Sequence, residues 1–252
     1  MTNRKILSLI LSLLIVALLS ACGSNYKTRQ EYYPSRHLQE RWTEARDSSG
    51  QYVRSGKYEQ YYETGELHAS GEYLRGEKTG QWTVWHENGK LKESTVYLHG
   101  KRNGIFTSYF PNGDVECEGT YRSDLPSGKW SKWHDNGRVA QKWAFQAGKE
   151  HGEFKRFHSN GRKAEEGRYV DGNKEGVWRS WYPNGRKQIE TTYLSDQPNG
   201  PEIAWHANGS RQYEGEYSQG KRNGVWIFYS ETGLEQRQER YQFGELMPLA
   251  EK

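Results

Sequence analysis

The chain has 252 residues and a formal net charge of +4, with mean hydropathy −1.10. Lys and Arg barely exceed Asp and Glu, 36 against 32, so the chain lacks the strong basic excess on one element that marks a nucleic-acid binder. Branched aliphatics are scarce after residue 22, yet all 35 aromatic residues fall there. Disorder is thereby opposed, and a thin, sheet-like fold whose apolar burial is carried by rings is expected.

The N-terminus reads as a targeting segment. Arg4 and Lys5 precede an almost wholly apolar run from Ile6 to Leu19, too short to span a bilayer as a helix. Leu19-Ser20-Ala21-Cys22 resembles the lipobox of bacterial lipoproteins, in which cleavage leaves the cysteine first and acyl chains are attached to it. Each buried methylene contributes about 0.8 kcal/mol, so several chains hold far more firmly than one. An ordinary cleaved signal with a cysteine nearby is the alternative. Gly23 stands where the resemblance would put Asp as an inner-membrane retention signal, which favours the outer membrane if the source is diderm. Residues 1–21 are thus a signal peptide, and residues 22–50 a lipidated Cys22 followed by a polar tether. Within residues 23–50, Tyr32-Tyr33-Pro34-Ser35 faintly echoes Trp181-Tyr182-Pro183-Asn184.

From residue 51 to 247 one pattern repeats, leaving 248–252 as a tail. Gly65, Gly89, Gly113, Gly137, Gly161, Gly185, Gly209 and Gly233 are spaced by 24, and six of them follow Asn. Asn-Gly favours a hairpin with a type I′ turn, which needs positive φ at both central residues. Counted from this glycine, position −9 is always glycine, and −4 and +8 are always aromatic. Position −7 is aromatic in seven units and fails at Glu202, beside Pro201, which makes the seventh unit the expected weak point. A Gly-rich linker such as Gly100-Lys101-Arg102-Asn103-Gly104 joins the units. The implied fold is all-β: an elongated single-layer antiparallel sheet of about eight stacked β-hairpins.

Across a two-residue turn, −7 faces +6, where Gly71, Gly119, Gly167 and Gly215 would leave a bare backbone under a ring. The rings at −7 and −4 differ by an odd number, so a regular strand points them to opposite faces. The aromatic columns are either the core of a thin sheet or a surface for a partner. Trp82, Trp130, Trp178 and Trp226 are the candidates for an exposed binding column, although Thr95, Trp143, Thr191 and Glu239 break the glycine scheme. His86, His134, His158 and His206 share position −3. Equivalent atoms of adjacent hairpins lie about 10 Å apart, too far to share zinc, so they read as satisfied or exposed sheet residues. No metal, cofactor or catalytic motif is expected, and Cys117 reads as a half-buried strand residue.

The segment Gly80-Gln81-Trp82-Thr83-Val84-Trp85-His86-Glu87-Asn88-Gly89 and its copies resemble the MORN-repeat variant family. The resemblance covers residues 56 to about 245 and implies a non-catalytic repeat scaffold. Some bacterial members are labelled YwqK-like antitoxins, which implies the alternative of an immunity protein that neutralises a toxin by direct binding. The expected partners are the membrane, through the lipid, and a protein or cell-wall glycan; nucleic acid is not expected.

Overall fold

The computed structural model describes residues 25–248, so Cys22 and the signal segment lie outside the described residues. The described chain is all-β and antiparallel, and it divides at residue 113 into two compact units. The first holds β1 (Tyr26–Tyr32), β2 (Leu38–Arg46), β3 (Tyr52–Tyr61), β4 (Leu67–Leu74), β5 (Glu77–Trp85), β6 (Leu91–Leu98) and β7 (Lys101–Tyr109). Each strand pairs with the next. The second begins with β8 (Val115–Arg122), β9 (Leu125–Trp133), β10 (Val139–Gln146), β11 (Lys149–Glu150), β12 (Gly152–Phe157) and β13 (Lys163–Val170). It continues with β14 (Asn173–Trp181), β15 (Lys187–Leu194), β16 (Gln197–Trp205), β17 (Arg211–Ser218), β18 (Lys221–Tyr229), β19 (Glu235–Gln242) and β20 (Glu245–Met247). Both are open meanders, as the hairpin period requires.

Residues 26–46, expected as a polar tether, are instead a hairpin. Arg36 takes the turn-glycine position with φ 68°, and its N–H donates to the Tyr33 carbonyl as Gly65 does to Tyr62. At −7, where later hairpins carry a ring, Arg29 pairs with Glu44 at 2.6 Å. Trp42 then registers opposite Tyr58 and joins the hairpin to the sheet. A salt-bridged cross-strand pair thus replaces an aromatic one. Composition therefore hid the strand.

The two ends of each hairpin are turned differently, and the Asn-Gly end is not type I′. Only the glycine has positive φ there, 78° at Gly89; none of the Asn residues does. Gly89 N–H bonds the His86 carbonyl and His86 N–H bonds that of Lys90, closing a three-residue loop. The I′-like pair of positive φ values occurs at the other end: Arg75 and Gly76 (51° and 88°), His99 and Gly100, Ser195 and Asp196. What had read as a Gly-rich linker is thus a two-residue turn running straight into the next strand, Leu98 opposite Lys101. Asn is conserved in the pattern for its side chain. In five turns its amide nitrogen reaches the next turn's backbone carbonyl, as from Asn88 to Pro111 (2.8 Å), while its oxygen accepts its own hairpin's Lys90 N–H.

Candidate binding surfaces

The four tryptophans expected on an exposed column are instead buried, together with Tyr58 and Phe154 at the same position of other hairpins. Trp82, Trp130, Trp178 and Trp226 are 5%, 6%, 3% and 0% exposed. Each does lie on a glycine, but on one from the preceding hairpin. A Cβ on Gly71 would fall 2.3 Å from Trp82, and on Gly167 2.2 Å from Trp178. Gly119 and Gly215 stand in the same relation to Trp130 and Trp226. Within its own hairpin each ring faces a residue with a side chain: Trp82 faces Thr95 and Trp178 faces Thr191. The real period is therefore 48, two hairpins, one contributing the glycine and the next the tryptophan. Where +6 is glycine the ladder skips it: residues 176–178 oppose Gly167 alone, and the indole leans into the gap. Where +6 carries a side chain, it registers with the next −7 residue, as Thr95 does with Phe106.

The indoles are fixed on several sides. Trp82, Trp178 and Trp226 donate from Nε1 to the carbonyls of Glu72, Arg168 and Glu216. The +8 tyrosines abut them edge-on, Tyr73 at 5.1 Å from Trp82 and Tyr169 at 4.9 Å from Trp178. A cation at −11 covers the stack. Lys78 lies 4.0 Å from the Trp82 centroid, Lys174 4.1 Å from Trp178 and Arg222 4.2 Å from Trp226. Burial lowers the Lys78 pKa, with Glu93 opposing it. A Lys or Arg stands at −11 in five hairpins, while Pro126, Glu150 and Pro198 interrupt the column, so the sequence carried it in part; attention to aromatics alone missed it.

The −3 side chains are rungs between turns. The Nε2 atoms of His86, His134, His158 and His206 bond the backbone carbonyls of Tyr109, Phe157, Trp181 and Tyr229. Tyr62 and Tyr182 make the same bond with their hydroxyls. The histidines are therefore satisfied backbone partners. The sheet face opposite the indoles is polar. Glu190, next to Thr191 and so pointing away from Trp178, pairs with Arg179 and Lys187 at 2.9 and 3.0 Å. Arg211–Glu214 and Lys163–Glu166 repeat the motif.

The seventh unit departs from the pattern without losing its strand. β16 pairs with β17 as the other hairpins do, including the shift at Ala204/Trp205, and Pro201 falls among the three residues that oppose only Thr192, a place where a missing donor is tolerated. Glu202 is 7% exposed; its carboxylate accepts from Thr191 Oγ1 at 2.7 Å and Tyr213 Oη at 3.0 Å. The stack is repaired from +4: the Tyr213 ring lies 5.6 Å from Trp226, where Tyr58 and Phe154 lie 5.4 Å from Trp82 and Trp178. Burial, then Glu202, raises the Tyr213 pKa. Beside Glu202 opens a cavity of about 390 Å³ lined by Trp178, Tyr193, Tyr213, Lys174 and Glu165 among others.

An all-β meander of hairpins built on one 24-residue pattern, with its recurring residues consumed by the sheet itself, defines a repeat protein. The MORN repeat variant model matches residues 54–74, 78–99, 102–123, 150–171 and 174–194, so these segments are repeats of that family. No curated protein matches it. Among solved structures, one titled "Crystal Structure of TcdB2-TccC3-TEV" aligns with 86% of this chain at 12% identity and a TM-score of 0.23. The chain spans 14% of that protein's length.

Proposed function

We propose that the protein is a non-catalytic binding scaffold, held at the cell envelope by lipid on Cys22, that engages a protein or cell-wall partner. One observation carries this reading. The residues that recur are spent on folding: glycines under indoles, His and Asn as rungs, cations over rings. Identity therefore resides in the side chains that vary between hairpins, such as Arg179 on the polar face, at whose position Thr83, Lys155 and Ile203 stand in other hairpins. Repeat sheets of this kind offer surface rather than a single reactive centre.

The lipobox reading of Leu19 to Cys22 supports the anchor. Replacing Cys22→Ser should abolish incorporation of a palmitate analogue and release the protein from membranes. Labelling that persists in the variant would remove the anchor from the account. The partner is sought by capture from the native envelope. A captured toxin, with protection on co-expression, would make the scaffold an immunity protein; a retained cell-wall fraction would make it a glycan binder.

A further inference from the structure

The cavity beside Glu202 has a chemistry that the periodicity makes legible. In the hairpins turned at Gly65, Gly89, Gly185 and Gly233, a cation at −11 covers the −7 and +8 rings of the same hairpin. In the seventh unit both elements change together. Pro198 stands at −11 and supplies no cation, and Glu202 stands at −7 and supplies no ring. A carboxylate thus sits in a cation-accepting stack from which the resident cation has gone.

The charge balance of the cavity sharpens this. Glu202 is held by two neutral hydroxyls, and no cation among the described residues lies within ion-pair distance of it. The cations that line the cavity are engaged elsewhere. Lys174 lies over Trp178 and 3.4 Å from Glu165, and Arg156 is 2.9 Å from Glu165, whereas Arg179, which alternates to the opposite face, is paired with Glu190 there at 2.9 Å. A carboxylate this deeply buried gains most from a cation that also brings hydrogen-bond donors. Nearby aromatic rings add attraction for the same charge.

We propose that this cavity receives one alkylammonium or guanidinium group, seated on the Glu202 carboxylate between Tyr193 and Tyr213. The volume suits a lysyl or arginyl side chain. Such a group is carried by a partner protein or by a free diamine. The inference deepens the scaffold reading and rests on it for its biological meaning, but the binding itself is tested independently.

The test titrates the full mature protein with N-acetyl-lysine amide, N-acetyl-arginine amide and 1,4-diaminobutane, following the Trp178 indole and tyrosine ring resonances. The matched neutral probes are the norleucine and citrulline amides. Saturable shifts with the cations and none with the neutral probes are expected. Glu202→Gln, which keeps acceptor and shape, should weaken binding at least about tenfold, ~1.4 kcal/mol. Glu202→Phe should abolish it while keeping the fold, because Phe106 and Phe154 occupy the equivalent position in other hairpins. Equal binding of citrulline and arginine amides, no saturable shift, or an unchanged Glu202→Gln affinity would each overturn the proposal. Binding of the capped residues assigns the group to a protein partner, and binding of the diamine alone to a free amine. If the capped residues bind and envelope capture nonetheless succeeds equally with Glu202→Phe, the assignment of the cation to a protein partner is overturned and the scaffold reading stands.

Discussion

Gly167→Ala isolates the contact on which the sheet's double-hairpin period rests. The backbone at Gly167 does not have positive φ, so alanine is conformationally acceptable there and restricts the unfolded chain, a gain of about 0.4–1 kcal/mol. The obstacle is the ring: the new methyl would sit 2.2 Å from Trp178 Cδ2 and 2.3 Å from Cε2. The indole is 3% exposed and bonded to the Arg168 carbonyl, so it moves only by losing that bond and disturbing Phe154 and Tyr169. Overpacking of this kind costs about 1–3 kcal/mol, which against that gain leaves a net loss centred on about 1.3 kcal/mol. Urea unfolding gives the total. Amide exchange at Arg168 and Thr191 locates it, since a repeat sheet need not unfold as one unit. In a double-mutant cycle with Trp178→Phe the losses should fail to add, the pair being less damaged than the sum. Wild-type stability with an unmoved Trp178 indole resonance would refute the reasoning.

Other substitutions test the remaining parts. Asn184→Ala removes the bond to the Ala207 carbonyl and the acceptor for Arg186 N–H, and should cost about 1 kcal/mol by urea unfolding, with exchange quickened in those two turns. Glu202→Phe combined with Tyr213→Ile, the residue at +4 in the preceding hairpin, returns the ring to −7 and removes a buried carboxylate, so the urea midpoint should rise; a fall would show that the Glu202–Tyr213 arrangement is the better packed. Burial, then Lys92, lowers the His68 pKa, so the unfolded chain takes up the proton first as pH falls. Stability should therefore decline as pH drops below about 6.5 and level off beneath the folded pKa; an NMR titration of His68 above 6.5 would reverse the sign. Burial pushes the Cys117 thiol up to about 11, so iodoacetamide at pH 8 should label it slowly when folded and quickly in urea.

The hairpin period was fully legible, because turns and rings demand particular residues at fixed spacing. Local conformation was less so. Asn-Gly suggested type I′, yet the Asn side chain serves as an inter-turn rung, and the I′ geometry falls to pairs such as Arg75-Gly76. The indole and its glycine were both recognisable, but assigning Trp82 to Gly71 across the hairpin junction required knowing where the ladder skips a residue. That same misassignment made the tryptophans look exposed. The first hairpin escaped because Arg29–Glu44 replaces a ring pair and the spacing to the next turn is stretched by a loop that Asp47 caps. At Glu202 the missing ring was visible, whereas its replacement by Tyr213 from another strand was not.

The most direct test of the scaffold account is site-specific photocrosslinking in native cells, with the photoreactive residue in place of Arg179 on the polar face. The account predicts one dominant crosslinked partner in the membrane fraction, shifted to the soluble fraction or lost with Cys22→Ser. Absence of any crosslinked species, with the protein folded and anchored, would contradict it.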